Sequence, residues 1–218
     1  MNAMKMYEQG GCNQALFKKP NVFSIDLWLH GCRVAEYAMI LLQCAQRHGL
    51  FGDDVCLSGE QTTHLALAMR YHDAGKLATP HKVLHKAGKL NQDEWNIMRR
   101  HPYQGTQIFG DLHGGNVSPV WWPMYRDVIM QHHERWDGEG YPQRRKGKAI
   151  SLWARLCAVA DAYDAITHSR VYHAAASHEH AYHVIVAQSG AQFDPRWVLA
   201  FQLCEKQLAG LHQQWKTA

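Results

Sequence analysis

Apolar residues recur at intervals of three and four along most of the chain, which is the spacing that buries one face of an α-helix. The clearest case lies between residues 25 and 49, where Leu27, Val34 and Leu41 fall near one face. Ser24 can cap this helix at its start, and Gly49 can end it. The sequence shows no alternating strand pattern and no repeat. It therefore predicts an all-α fold, a bundle of about seven helices.

Helix start signals precede most of the remaining periodic segments. Two have the capping-box form, in which a short polar residue is followed three positions later by Glu or Gln. The predicted starts are Ser58 with Gln61, Asn91 with Glu94, Ser151, Ser177, and Asp194 followed by Pro195. The helix after Ser58 is expected to reach Gly75, and the last helix to continue through Cys204. We expect one domain at residues 22–208, an N-terminal extension at 1–21 and a C-terminal tail at 209–218.

Composition places the chain among ordinary globular proteins, because 46% of its residues are hydrophobic and 19% are charged. No apolar run approaches the roughly 20 residues that a membrane span needs. The first residues lack the apolar segment and cleavage site of a signal peptide, so we expect a cytoplasmic protein. The six cysteines lie far apart without a Cys-x-x-Cys pair, which favours reduced core residues.

The net charge of +4 is mild, so we expect neither a nucleic-acid polymer nor a membrane as partner. Basic residues do cluster in "QRRKGK" at positions 143–148. A solvated loop is the simpler interpretation of this run, and a site for a phosphate-rich ligand or an acidic partner is the alternative.

Histidine is the unusual residue type, with 16 copies. Several histidines and acids interrupt the apolar faces of different predicted helices: His30, His72 with Asp73, His101, His132 with His133, and Asp161. Any one of them alone is more often a satisfied core or surface residue than a metal ligand. A bundle core that gathers all of them would leave many buried polar atoms unsatisfied, and a pair of metal ions satisfies such atoms.

Imidazole combined with carboxylate suits Fe, Mn, Zn or Ni better than metals that prefer thiolates. Two such ions can share a carboxylate, activate a water molecule and hold the oxygens of a phosphodiester, so the pattern indicates phosphoester hydrolysis. Lys76 could contact a bound phosphate, or it could be an exposed lysine at a helix end. Asp26 lies one turn before His30 and could bind a metal or orient that imidazole.

The segments "HDAGK" (His72 to Lys76) and "HHERWDGEGYP" (His132 to Pro142) closely resemble the HD-GYP family of metal-dependent phosphohydrolases. The resemblance extends over roughly residues 22–204. It includes "HGCRVAEYA" from His30, "KAGKLNQDEWNIMRRHP" from Lys86, "LWARLCAVADAYDAITHSRVY" from Leu152 and "GAQFDP" from Gly190. The order and spacing of these segments make the resemblance specific.

The resemblance implies a cyclic dinucleotide phosphodiesterase that converts cyclic di-GMP through pGpG toward GMP, with two or three iron or manganese ions. It implies the metal ligands His30, His72, Asp73, His101, His132, His133 and Asp161. Asp73 would bridge two metals, and Lys76 would contact the scissile phosphate. Gly140, Tyr141 and Pro142 match the tripeptide that borders the substrate and contacts a partner surface, such as a diguanylate cyclase domain. Arg170 matches a phosphate-binding arginine, and Asp164 would support the ligands.

Two departures from the family pattern affect these expectations. Asp26 stands where members with three metals carry Glu, which makes a third metal doubtful. His173, in "RVYH", replaces a phosphate-binding lysine with a largely neutral group. This change could alter the preferred nucleotide, so cyclic GMP-AMP is an alternative substrate.

A second alternative is a non-catalytic module that senses cyclic di-GMP or docks a partner. The complete set of matching ligands argues against it. Tryptophans such as Trp121, Trp122 and Trp215 could serve a homodimer face, or they could be ordinary packing residues.

Overall fold

The computed structural model of the chain describes residues 24–112, 118–168 and 176–217. These residues are mainly helical and contain no β-strand, only an isolated bridge between Ser189 and Phe193. The predicted all-α fold is therefore confirmed. The predicted extension at 1–21 lies outside the described residues.

The α-helices are α1 (Ile25–Arg47), α2 (Gly59–Arg70), α3 (His81–Leu84), α4 (Gln92–Met98), α5 (His101–Leu112), α6 (Trp122–Gln131), α7 (Leu152–Thr167), α8 (His178–Ala187), α9 (Pro195–Leu203) and α10 (Glu205–Lys216). Short 3-10 turns cover Gly52–Val55, Ala74–Ala78 and Gly147–Ala149. Among the described helices, none combines the length and apolarity needed to cross a lipid bilayer.

Helix α1 is the centre of the bundle and packs against α2, α7, α9 and α10. Residues on most of its sides are buried, as expected for a helix surrounded by others. Tyr37 of α1 meets Tyr163 of α7 edge to face, with ring centroids 4.8 Å apart. The cysteines in the described residues are free: Cys32, Cys44, Cys56, Cys157 and Cys204.

The predicted helix starts are found at the expected residues. Ser58 and Asn91 each form a complete capping box, and Ser24 accepts the backbone N–H of Leu27 at 3.2 Å. Ser177 and Asp194 also cap their helices through their side chains. Ser151 differs, because its side chain makes no capping hydrogen bond although it occupies the N-cap of α7.

Two predicted helix ends differ from the structure. Helix α2 ends at Arg70, before His72 and Asp73, which lie in the turn that follows. The predicted last helix is divided at Cys204 into α9 and α10. The segment assigned to a C-terminal tail is helical as far as Lys216, and the Trp215 indole N–H donates to Glu36 of α1 at 3.0 Å.

Candidate metal centre

His72 and Asp73 are held in a tight turn between α2 and the 3-10 turn Ala74–Ala78. Gly75 lies so close to α5 that a Cβ atom on it would be 1.8 Å from the backbone oxygen of His101. Only glycine permits this approach without displacement of the backbone. The short distance brings Asp73 beside the first residue of α5, which is His101.

Asp73 belongs to two groups of side chains that could each hold a metal ion. One group is Asp73, His101, His132 and His133, and the other is His30, His72 and Asp73. In each group the ligand atoms lie within 4.8 Å of one another. The two groups share only the carboxylate, so Asp73 stands between them.

The two oxygens of Asp73 divide between the groups. Oδ1 lies 3.2 Å from His101 Nε2 and 3.6 Å from His132 Nε2. Oδ2 lies 3.5 Å from His30 Nε2 and 3.4 Å from His72 Nε2. A carboxylate with one oxygen facing each set of imidazoles has the arrangement of a bridging ligand.

Four of the imidazoles are oriented by a hydrogen bond at Nδ1 that leaves Nε2 facing Asp73. For three of them the Nδ1 partner is a backbone carbonyl three residues earlier in the chain; the fourth is bound by a carboxylate. The pairs are His72 with Met69 at 2.8 Å, His101 with Met98 at 2.8 Å, His132 with Ile129 at 2.9 Å, and His30 with Asp164 at 2.6 Å. This pattern fixes the ring and presents the second nitrogen to a metal.

Atoms at the centre of the cluster are buried without a hydrogen-bond partner among the described residues. They are His30 Nε2, His72 Nε2 and Asp73 Oδ1. Buried polar atoms are normally satisfied, and an unsatisfied one costs about 1–3 kcal/mol. Since these atoms converge and are all metal-ligand types, the residues present fit a bound divalent metal pair.

The electrostatics of the cluster favour ionised carboxylates and some neutral imidazoles. Burial raises the pKa of Asp73, but the nearby charges of Lys76 and His72 hold it well below its usual value. Burial lowers the pKa of His132 to about 4. Burial also lowers the pKa of His133, well below its usual value. These groups therefore offer free lone pairs, as metal binding requires.

His30 is different, because it is surrounded by carboxylates. Burial lowers its pKa, but the surrounding carboxylates of Asp161, Asp164 and Asp73 raise it to about 10. Its Nε2 lies 3.2 Å from Asp161 Oδ1, which is also 3.8 Å from His72 Nε2. The carboxylates that retain a proton on His30 would equally attract a metal cation in place of that proton.

Lys76 and the Gly-Tyr-Pro residues border the cluster. The Lys76 ammonium donates to Asp73 Oδ2, and its side chain is 15% exposed rather than extended into solvent. The Tyr141 ring stacks on His133, with centroids 4.7 Å apart and an angle of 26°. Gly140 is buried against the backbone of residues 133–135, and Pro142 is exposed. The loop therefore places Tyr141 over one side of the centre.

Of the other expected site residues, one lies away from this arrangement and two cannot be placed in it. Asp26 is exposed in the first turn of α1 and belongs to neither group of the described residues. Arg170 and His173 lie outside the described residues.

Comparison with known proteins identifies the family of the chain. An HD domain family model matches residues 38–197, which include the His72–Asp73 pair and the Gly-Tyr-Pro residues. The chain belongs to the HD-GYP branch of this family. A cyclic di-GMP phosphodiesterase of Vibrio cholerae is 41% identical over 149 residues, 67% of this chain and 30% of that protein. A 3'3'-cGAMP-specific phosphodiesterase 2 of the same species is 32% identical over 164 residues, 75% of this chain and 30% of that protein.

A solved structure shares the fold of this HD-GYP chain. It is Bd1817, an HDG"Y"P protein from Bdellovibrio bacteriovorus, with a TM-score of 0.62 and 19% identity. The match covers 97% of this chain and 61% of the other. The chain spans less than half the length of the two curated Vibrio cholerae relatives.

Sequence analysis missed two side chains that support this HD-GYP centre. Arg33 donates to both oxygens of Asp164, from Nε at 2.6 Å and from Nη2 at 3.0 Å. Its position three residues after His30 on a helix was a signal that could have identified it. Glu134 is buried and accepts the backbone N–H groups of Gln143 at 2.6 Å and Arg145 at 3.0 Å. It thereby anchors the loop that carries Tyr141.

The basic run at 143–148 is mostly exposed on this loop, as the simpler interpretation expected. The Arg145 side chain donates to Gln143 Oε1 at 2.8 Å and to the Ala149 carbonyl at 3.2 Å. These contacts fix the loop locally.

Proposed function

We propose that this chain is a metal-dependent phosphodiesterase that hydrolyses cyclic di-GMP through pGpG toward GMP. The observation that carries the proposal is the Asp73 carboxylate, whose two oxygens face two separate sets of imidazoles. A bridged pair of divalent ions supplies Lewis acidity and an activated water for attack at phosphorus. The relatives named as cyclic dinucleotide phosphodiesterases support the substrate class.

The ligand set of the proposed centre follows from the two groups. His30 and His72, with Asp161 beside them, would hold one ion, and His101, His132 and His133 would hold the other. Asp73 would be shared. Imidazole and carboxylate donors without thiolate are compatible with iron or manganese, the metals that the family resemblance implies. Asp26, exposed one turn before His30, would take part only if a third ion binds.

Two residues at the border would act on the substrate itself. Lys76 would neutralise charge on the scissile phosphate as it grows during attack, because its ammonium already lies among the ligand side chains. Tyr141 would form one side of the substrate site, since its ring covers His133. Arg170 and His173 are proposed to bind phosphate, on the strength of the family motif alone.

A second candidate substrate is cyclic GMP-AMP, because one relative is named as specific for 3'3'-cGAMP. His173, which replaces the usual lysine, is the residue of this chain that would alter the preference. Both candidates would use the same metal centre.

The cellular setting follows from the same proposal. A cyclic dinucleotide is an intracellular second messenger, so we place the protein in the cytoplasm. Pro142 is exposed and Tyr141 half-buried, which would allow the Gly-Tyr-Pro loop to contact a diguanylate cyclase domain. A homodimer is the other proposed assembly.

The test is a chromatographic assay of cyclic di-GMP hydrolysis. The protein is purified without oxygen, loaded separately with iron or manganese, and analysed for bound metal. His72→Ala is compared with His81→Ala, a matched change at an exposed histidine of α3. We expect pGpG or GMP from the wild type and from His81→Ala, and no product from a helical His72→Ala protein.

Undiminished turnover by metal-loaded His72→Ala would refute the proposed centre. Product from cyclic GMP-AMP alone would establish the second candidate instead. Bound cyclic di-GMP without product, in a protein that holds two metals, would indicate a sensor.

A further inference from the structure

Arg99 lies at the outer end of a stack of side chains that begins at the metal centre. Its Cζ atom is 5.3 Å from the centroid of the Tyr141 ring and 5.9 Å from that of Trp95. Tyr141 stacks in turn on His133, a member of the first ligand group. Both distances lie within the range of cation–π attraction. The two rings therefore hold the guanidinium over the side of the centre formed by Tyr141.

The chain itself also fixes Arg99 at this place. Arg99 is the C-cap of α4, and His101 follows two residues later. Helix α4 is anchored at its other end by Glu94, which completes the capping box with Asn91 and accepts a bond from the Lys86 ammonium. The position of the Arg99 guanidinium is thus fixed in two independent ways: by the ring contacts and by the short connection to His101.

The charge of Arg99 is available to a ligand. Arg99 is exposed, and no carboxylate in the described parts of the chain lies within ion-pair distance of it. Burial and the charges of Asp73 and Asp161 raise the pKa of Tyr141, whereas the charge of Arg99 lowers it.

We propose that Arg99 binds the second phosphate of the substrate, the one that is not cleaved. This inference rests on the proposed function. A cyclic dinucleotide carries two phosphodiesters in one small ring, so binding one at the metal centre places the other nearby. Lys76 lies at the Asp73 end of the site, whereas Arg99 lies beyond Tyr141.

The shape of the guanidinium suits this role. Arginine presents planar N–H groups that pair with two phosphate oxygens at once. Trp95 is 44% exposed and contacts Arg99 from within α4, so ring contacts can hold the guanidinium plane while its N–H edge stays free. The opposing explanation is that Arg99 only supports the Tyr141 loop, and the two predict different kinetics.

The experiment compares two substrates of the metal-loaded protein. Cyclic di-GMP has a second phosphate, and bis(p-nitrophenyl) phosphate has a single phosphodiester. In Arg99→Gln we expect KM for cyclic di-GMP to rise about tenfold or more, with kcat little changed. Hydrolysis of bis(p-nitrophenyl) phosphate should stay at the wild-type level. Arg99→Lys keeps the charge but loses the planar fork, so its KM for cyclic di-GMP should lie between the wild-type and Arg99→Gln values.

Arg100→Gln is the matched control, because Arg100 is the neighbouring exposed arginine. Its KM and kcat for both substrates should match those of the wild type. An unchanged KM in Arg99→Gln, or an equal loss on both substrates, would overturn the inference. A wild-type protein that hydrolyses only bis(p-nitrophenyl) phosphate would instead overturn the proposed function.

Discussion

Asp164 binds His30 from the side opposite to the metal centre. Its Oδ2 atom lies 2.6 Å from His30 Nδ1, while Arg33 and His168 also bind the same carboxylate. Asp164 is 1% exposed. A group that is this buried and this fully engaged determines the direction of the His30 ring.

Replacing Asp164 by Asn should therefore weaken metal binding without removing a ligand. The amide keeps the shape but loses the charge that orients and polarises His30, and such outer partners are worth about 10–100-fold in metal affinity. Competition with a chelator measures the change. Asp111→Asn, at an exposed aspartate of α5, is the control. Equal affinity in both variants would show that Asp164 does not support the centre.

Gly75→Ala tests the close contact between the His72–Asp73 turn and α5. The new Cβ would lie 1.8 Å from the His101 carbonyl, so backbone must move, at a cost of about 1–3 kcal/mol in the free energy of unfolding. Metal content should fall as well, because Asp73 and His101 separate. Urea denaturation and metal analysis provide the readouts.

Gly110→Ala is the matched control for this change. Gly110 lies within α5, and a Cβ there meets nothing within 4 Å. Alanine at that position should leave metal content unchanged and raise stability by up to about 1 kcal/mol. A Gly75→Ala protein as stable as wild type would contradict the proposed close packing.

Glu134→Gln should loosen the loop while leaving the metals in place. The carboxylate accepts two backbone N–H groups, and an amide can offer only one acceptor oxygen to them. Amide hydrogen exchange at residues 141–147 should accelerate, and cyclic di-GMP turnover should fall. Glu139→Gln, an exposed change in the same loop, should do neither. Unaltered exchange in Glu134→Gln would refute the anchoring role.

Lys76→Met should separate metal binding from turnover. The ammonium lies beside Asp73, but it cannot bind a metal, so the metal content should match that of the wild type. Loss of one charge that stabilises the transition state should lower kcat by about 10²-fold. Lys82→Met, at an exposed lysine of α3, is expected to be neutral. Wild-type kcat in metal-loaded Lys76→Met would exclude contact with the scissile phosphate.

The helices and the ligand cluster were largely predictable because their signals are local. Capping boxes at Ser58 and Asn91 depend on residues three apart. Among the ligand histidines, His30 lies within a helix, whereas His72, His101 and His132 lie at or next to helix ends. The end of α2 was predicted wrongly. Gly75 looked like a helix stop, but its function is the contact with His101, which is distant in the sequence.

Other features also depend on distant contacts that no local pattern reveals. Arg99 has its place because Tyr141 packs against it, and the two residues are on different segments. The exposure of Asp26 could not be inferred from its spacing to His30. A residue one turn before His30 can lie in the core or at a helix end in solvent, and the spacing is the same in both cases. Sequence periodicity gives the face of a helix but not the neighbour that covers it.

The bond between His30 and Asp164 joins residues 134 positions apart in the chain. A site assembled over such a separation forms only after most tertiary packing is complete, since a long loop must close first. During synthesis, α1 leaves the ribosome long before α7. The complete ligand set would consequently exist only in the packed domain, so a newly made chain would bind its metals late in folding.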